Sequence, residues 1–267
     1  MQEIEFKFQV PVKKRKALQK AFTLLKAEPI HLAAQYFDTA DQTLAKHCIA
    51  IRRRQENDEW KQTFKAVNSA KVLSRLELEF DIAPPETTTL DLDNYKKDYS
   101  AIYKKLKRAL GLPLPTLELL FETNIQRLRI LQDVGNSTVE IALDIGKIFE
   151  AQNNVDIFEI EFELKQGSIE DLIAFIRPWV QKYQLSLDTH SKSDYGLLAV
   201  RQQSSFSAQY QTPLVLNRSS SEVEALQSIV ANCLQHLLPN ASSIARQQYS
   251  SEHIHQARVA IRRLRSA

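Results

Sequence analysis

The chain has 267 residues, of which 43% are hydrophobic and 25% charged, and its formal net charge is +3. That composition excludes a disordered or collagen-like chain, and the length leaves room for two domains. No apolar run approaches the roughly 18 residues of a membrane span, the charged start MQEIEFKF is no secretory signal, and the only two cysteines, Cys48 and Cys233, form no CxxC, so a cytoplasmic protein without a disulfide framework or cysteine zinc site is expected.

Ile4, Phe6, Phe8 and Val10 alternate with Glu3, Glu5 and Lys7, which predicts a strand with one apolar and one charged face, ended by Pro11. A helix is predicted over 12–26, with Leu18, Ala21, Phe22 and Leu25 on one side. Strands follow at 33–39, 48–54, 59–67 and 74–82, the middle two as a hairpin, before Pro84 and Pro85 interrupt the pattern. A helix that is basic on its outer side covers 92–110. Three more alternating segments, 123–132, 137–146 and 156–165, precede a helix over 168–183 capped by Ser168 and a short helix from Ser193. Residues 211–221 read as a linker. The period then turns helical through Val223, Leu226, Ile229, Val230, Cys233, Leu234 and Leu237. Pro239 and Asn240 are expected to divide this helix from a final one, in which His255, Arg258, Arg262 and Arg265 make a cationic stripe. Cys48 and Cys233 read as small buried hydrophobes, and His31 and His47 as surface or loop residues.

About eight strands at this density suggest a closed barrel or a sandwich. The apolar strand faces are needed to cover the helices, so the charged faces must look to water or into a lumen. Their signs segregate by strand, with Glu/Glu near both ends of the body and Arg/Arg at 52–54 and 127–129, which favours a lumen. Bare like charges there would repel and be costly to desolvate. A divalent cation neutralises clustered carboxylates, a phosphate chain neutralises clustered Arg and Lys, and magnesium or manganese bridges the two. The five glycines are too dispersed for GxGxxG or a P-loop, so any phosphate must be held by side chains. The implied chemistry is attack of water on a phosphoryl group.

EIEFK, with Glu3, Glu5 and Lys7, resembles the ExExK motif of the CYTH superfamily, also called triphosphate tunnel metalloenzymes. YFDT (36–39), IRRR (51–54), TFK (63–65), RLELE (75–79), VEIALDIG (139–146), EIEFELK (159–165) and HSKSDYG (190–196) extend the resemblance in order to about residue 200. The resemblance implies an α+β fold built on a closed eight-stranded antiparallel β-barrel, a tunnel with flanking helices. It implies Glu3, Glu5, Asp144, Glu159 and Glu161 as ligands for Mg2+ or Mn2+. Lys7, Arg52, Arg54, Lys65, Arg75, Arg127, Arg129 and Lys192 are the implied triphosphate-binding cations, with Glu161, Glu159 and Lys65 in catalytic roles. Glu77, Glu79 and Glu163 would support them by orienting neighbours. Arg53, where many members carry an apolar residue, points outward by parity.

The tail HIHQARVAIRRLRSA (253–267) resembles the opening of a CHAD domain, a helical module linked to polyphosphate binding. The expected organisation is a CYTH domain over 1–203, a linker over 204–221 and the start of a CHAD domain over 222–267. The expected activity is metal-dependent hydrolysis of inorganic triphosphate to pyrophosphate and phosphate, with long polyphosphate at the basic helix and self-association as a homodimer through the apolar stripe Val223–Leu237. Adenylate cyclase, thiamine or nucleoside triphosphatase, and a non-catalytic polyphosphate receptor are the alternatives. No membrane and no specific nucleic acid is expected as a partner, and residues 213–267 are expected to be dispensable for catalysis.

Overall fold

The alternating segments become nine strands: β1 (Glu5–Gln9), β2 (Glu28–Asp38), β3 (Ile49–Glu56), β4 (Glu59–Val67), β5 (Arg75–Ile82), β6 (Glu118–Val134), β7 (Ser137–Glu150), β8 (Asn153–Gln166) and β9 (Ser186–Leu187). They form one sheet in the order β5-β4-β3-β2-β6-β7-β8-β1-β9, with every neighbouring pair antiparallel. The structure, a computed structural model, describes residues 4–67, 75–87, 89–90, 92, 95–96, 99–150, 153–216 and 219–267. None of its helices is long and apolar enough to cross a membrane.

The sheet is open. β5 lies at one edge and β9 at the other, and among the described residues no ladder joins them. This overturns the expected closed eight-stranded barrel, both in its closure and in its strand count. β9 is two residues long and pairs only with Phe8 and Gln9 of β1, so this edge offers β5 almost no backbone to bond. The sheet is nonetheless strongly curled. Six inter-strand spacings separate β4 from β1, about 29 Å if the sheet were flat, yet the charge of Lys65 on β4 acts on Glu5 of β1.

Register places the charged alternation on one face, because side chains of directly paired residues point the same way. The pairs Lys7↔Glu161, Gln9↔Glu159, Glu159↔Asp144 and Asp144↔Arg127 run from β1 to β6, and Tyr36↔Arg52, Arg52↔Thr63 and Lys65↔Glu77 run from β2 to β5. The opposite, apolar face packs on helices. Phe8, Ile141, Leu143, Ile160 and Phe162 meet Leu18 and Phe22 of α1 (Val12–Leu24) and Leu172 and Ile176 of α4 (Ile169–Tyr183). Ile49, Ile51 and Phe64 meet Leu44 of α2 (Thr43–Lys46) and Ile102 and Leu106 of α3 (Ser100–Leu110). Ser168 caps α4 by accepting from Asp171 N at 3.2 Å. Part of the predicted helix over 92–110 lies outside the described residues.

Helix α5 (Lys192–Val200) instead lies on the charged face, over β6, β7 and β8. It does so because that face carries an apolar patch. Ile30, Leu32, Tyr36, Phe121 and Ile125 form a buried cluster with Tyr195 of the helix. A capping box starts it, with Ser191 and Asp194 exchanging bonds of 2.7 and 3.2 Å.

Two sequence expectations change beyond the sheet. Pro239 does not end its helix: α6 (Glu222–Ala245) runs through it, and α7 (Ser251–Ser266) begins only after residues 246–250. Side chains brace the proline turn, with Asn240 Nδ2 donating to His236 O at 2.7 Å and Ser242 Oγ lying 2.9 Å from Leu238 O. Cys48 is exposed, not buried, in a turn with φ of 55° after α2, whereas Cys233 is buried.

Gly196 sets the approach of α5 to the sheet. A Cβ there would lie 2.2 Å from two carbons of the Phe121 ring. Gly196→Ala is expected to lose about 1–3 kcal/mol of stability in urea unfolding, and Phe121→Leu in the same background should recover part of that loss.

Candidate functional site

The centre of the charged face is an ion cluster. The β7–β8 ladder sets Asp144 beside Glu159 and places Glu161 one pleat along the same face, and ligand oxygens of all three lie within 4.8 Å of one another. Asp144 is fully buried. Arg127 on β6 grips it with two bonds of 2.7 Å and extends the same guanidinium to Glu161. Lys192 enters from the first turn of α5. Its ammonium lies 2.7 Å from Asp144, 2.9 Å from Glu161, and against Glu159. Lys7 closes the set at 3.3 Å from Glu159.

The electrostatics follow from this packing. Burial would raise the carboxyls of Asp144 and Glu161, but Lys192 and Arg127 hold both below their ordinary values, Glu161 far below. Burial would likewise lower Lys192, yet Asp144, Glu159 and Glu161 keep its ammonium well above the usual value. Glu5 behaves in the opposite way: burial and the neighbouring charge of Glu161 push it up to about 7.

A second, mostly basic group sits on β3 and β4. Arg52 donates to Thr63 Oγ1 at 3.3 Å and reaches the Tyr36 hydroxyl at 3.5 Å. Arg54 pairs with Glu79 at 3.2 Å and Glu56 at 3.4 Å, while Lys65 pairs with Glu77 at 2.8 Å. Tyr36 feels Arg52, Lys192 and Lys65 together, so the curl turns the two groups toward a shared space.

Of the residues singled out in the sequence, Lys7, Arg127, Asp144, Glu159, Glu161 and Lys192 are in one cluster, and Arg52, Arg54, Lys65, Glu77 and Glu79 line the same face. Arg129 is at the rim, paired with the exposed Glu28 at 2.7 Å, and Glu163 is held by Lys165 at 2.7 Å. Glu3 lies outside the described residues, as does the side chain of Arg75. Arg53 faces away, over the Phe37 ring. His255, Arg258, Arg262 and Arg265 are all exposed on α7. Sequence reasoning gave no role to Tyr36, Asp188 or Tyr195, although YFDT and HSKSDYG contain the two tyrosines. Tyr36 touches Arg52, and the Tyr195 hydroxyl donates to Asp188 at 2.8 Å.

The donor set fits a hard divalent cation. It is all oxygen and compact, with Asp144 and Glu159 buried.

The chain belongs to the CYTH family, whose domain matches residues 1–194. The CHAD domain matches residues 228–267. An inorganic triphosphatase of Haemophilus influenzae is 32% identical over 206 residues, covering 74% of this chain and 55% of that protein. The chain therefore spans about half the length of this curated relative. Two solved structures share the fold. One, a candidate adenylate cyclase of Bacillus halodurans, has 21% identity and a TM-score of 0.50, with 72% of this chain and 96% of that chain covered. The other, a candidate adenylyl cyclase of Hippeastrum described as having a dominant triphosphatase activity, has 18% identity and a TM-score of 0.51, with 75% and 96% covered.

The raised Glu5 carboxyl makes a signed prediction. Its folded value, about 7, lies above the ordinary glutamate value of 4.5, so ionising it costs stability as pH rises through that window. Glu5→Gln should stabilise the metal-free protein by about 1–3 kcal/mol at pH 8 and by nothing at pH 4. Denaturant unfolding at both values checks this, and an equal gain at both would contradict it.

Proposed function

We propose that the chain hydrolyses inorganic triphosphate to pyrophosphate and phosphate on this charged face, with Mg2+ or Mn2+ as cofactor. The observation that carries the reading is the pairing of a compact carboxylate triad with more cations than a structural salt bridge needs, all on one curled face. The name of the Haemophilus influenzae relative supports it. A pure anion receptor would have no use for Asp144, Glu159 and Glu161.

In the unliganded protein the cations and carboxylates neutralise each other. Triphosphate offers Lys7, Arg52, Arg54, Lys65, Arg127 and Lys192 stronger, multiply charged partners. Asp144, Glu159 and Glu161, with Glu5 and Glu3, would hold the divalent cation as those side chains turn to phosphate. A divalent cation held there would neutralise phosphate charge and supply a more acidic water. The cationic side chains stabilise charge on the transferred phosphoryl group and on the pyrophosphate that leaves. Water oxygen bonds to the terminal phosphorus as the bridging P–O bond breaks. Glu161, by a carboxylate oxygen turned away from the cation, would accept a hydrogen bond from the attacking water and relay its proton to solvent.

A phosphate-release panel tests this with tripolyphosphate, ATP, thiamine triphosphate and long polyphosphate. Tripolyphosphate should be preferred, with activity lost in excess chelator and restored by Mg2+ or Mn2+. Arg52→Ala or Arg54→Ala should chiefly raise KM, by about ten- to hundredfold. Glu161→Gln should chiefly lower kcat, by about a hundredfold. Full turnover by Glu161→Gln, or in excess chelator, would sink the assignment.

A further inference from the structure

Lys7, although it stands on β1, is held in part by chain beyond the sheet. Apart from Glu159, its ammonium is held by the carbonyl of His190 and by the nearby charge of Asp188. Both belong to the strap 187–190, which leaves β9 and leads into α5. Asp188 N donates back to Lys7 O at 2.8 Å. The buried Asp188 carboxylate accepts from the Tyr195 hydroxyl at 2.8 Å and from His190 N at 3.0 Å. Phe206 stacks on the His190 ring with centroids 3.9 Å apart.

The strap is fastened by the end of α6. Ser242 Oγ lies 3.1 Å from the Leu187 carbonyl and accepts from Thr189 N at 3.2 Å. The Ser242 carbonyl accepts from Gln9 on β1 at 3.2 Å. Four residues on, the Arg246 guanidinium stands 4.1 Å from the centroid of the Tyr195 ring and donates to the Asp156 carbonyl at 3.3 Å. The Lys7 ammonium lies 5.7 Å from the centroid of that same ring. An unbroken run of contacts thus leads from α6 through Tyr195, Asp188 and the strap to Lys7 and Glu159.

We propose that the C-terminal end of α6, through Ser242 and Arg246, positions Lys7, and that the helical segment thereby sets how tightly the charged face holds a triphosphate. The proposal rests on the triphosphate reading above. Its physical basis is preorganisation. A lysine held in place by a fixed strap loses little freedom when phosphate arrives, whereas one on a loose strap must be ordered at the expense of affinity. The dispensability of residues 213–267 expected from sequence gives way here to coupling: Ser242 and Arg246 are positioning residues, remote from the reacting atoms.

The test uses the full chain and two independent readouts. In Arg246→Gln, KM for tripolyphosphate should rise about five- to tenfold, the scale of a lost cation–π contact, with kcat within about twofold. Arg246→Lys, which keeps a cation on the ring, should restore most of that. Amide hydrogen exchange in a peptide spanning 186–192 should quicken by a similar factor in Arg246→Gln and in Ser242→Ala. Unchanged exchange in both variants overturns the proposal, as does a loss confined to kcat or one that Arg246→Lys fails to restore. If the parent chain does not hydrolyse tripolyphosphate, the functional reading fails, and the exchange arm still decides whether α6 fixes the strap.

Discussion

Three carboxylates and three cations meet on one face of the sheet: Asp144, Glu159 and Glu161 against Arg127, Lys192 and Lys7. Such a group tolerates burial only as a whole. Deleting one partner of a buried pair typically costs about 3–5 kcal/mol, because the other charge is left without compensation. The rest of the architecture supplies the partners: β6, β7 and β8 contribute four through their ladder, β1 brings Lys7 and α5 brings Lys192. The cluster is internally balanced, with three charges of each sign.

The face that carries the cluster is divided by function. Its middle, on β2 and β6, is apolar and takes α5 as a cover. Its two flanks remain charged, carboxylates with Lys7 toward β1 and mostly cations toward β4. The apolar patch is therefore part of the site's design, since it anchors the helix whose first residue is Lys192. Gly196 makes the same point from the helix side. A methyl group there has no room against Phe121, so the depth at which Lys192 enters depends on a hydrogen atom one turn further along.

The second module is less separate than a linker would suggest. Ser242 and Arg246 touch β9, the strap and Tyr195, and the continuous α6 puts them there. A helix broken at Pro239 would have left both residues in a connection. The side-chain bonds around the proline have a structural consequence beyond the helix itself: they keep the last turns of α6 in line with the sheet edge.

The alternation of EIEFK, SRLELEFDI and EIEFELK was enough to determine which residues share the charged face, because a strand's period of two leaves each side chain only one of two faces. The same local rule made Lys7, Arg52, Arg54, Lys65, Asp144, Glu159 and Glu161 legible as one set. Closure of the sheet was not legible, since it depends on pairing between edges far apart in sequence, and a two-residue β9 has almost no periodic signal. Nor were Asp188 and Tyr195, which are ordinary strap and helix residues until folding sets them between Lys7 and Arg246. Side-chain orientation is local and written into the sequence; which strands meet, and what leans on Lys7, are long-range contacts that only the tertiary structure decided.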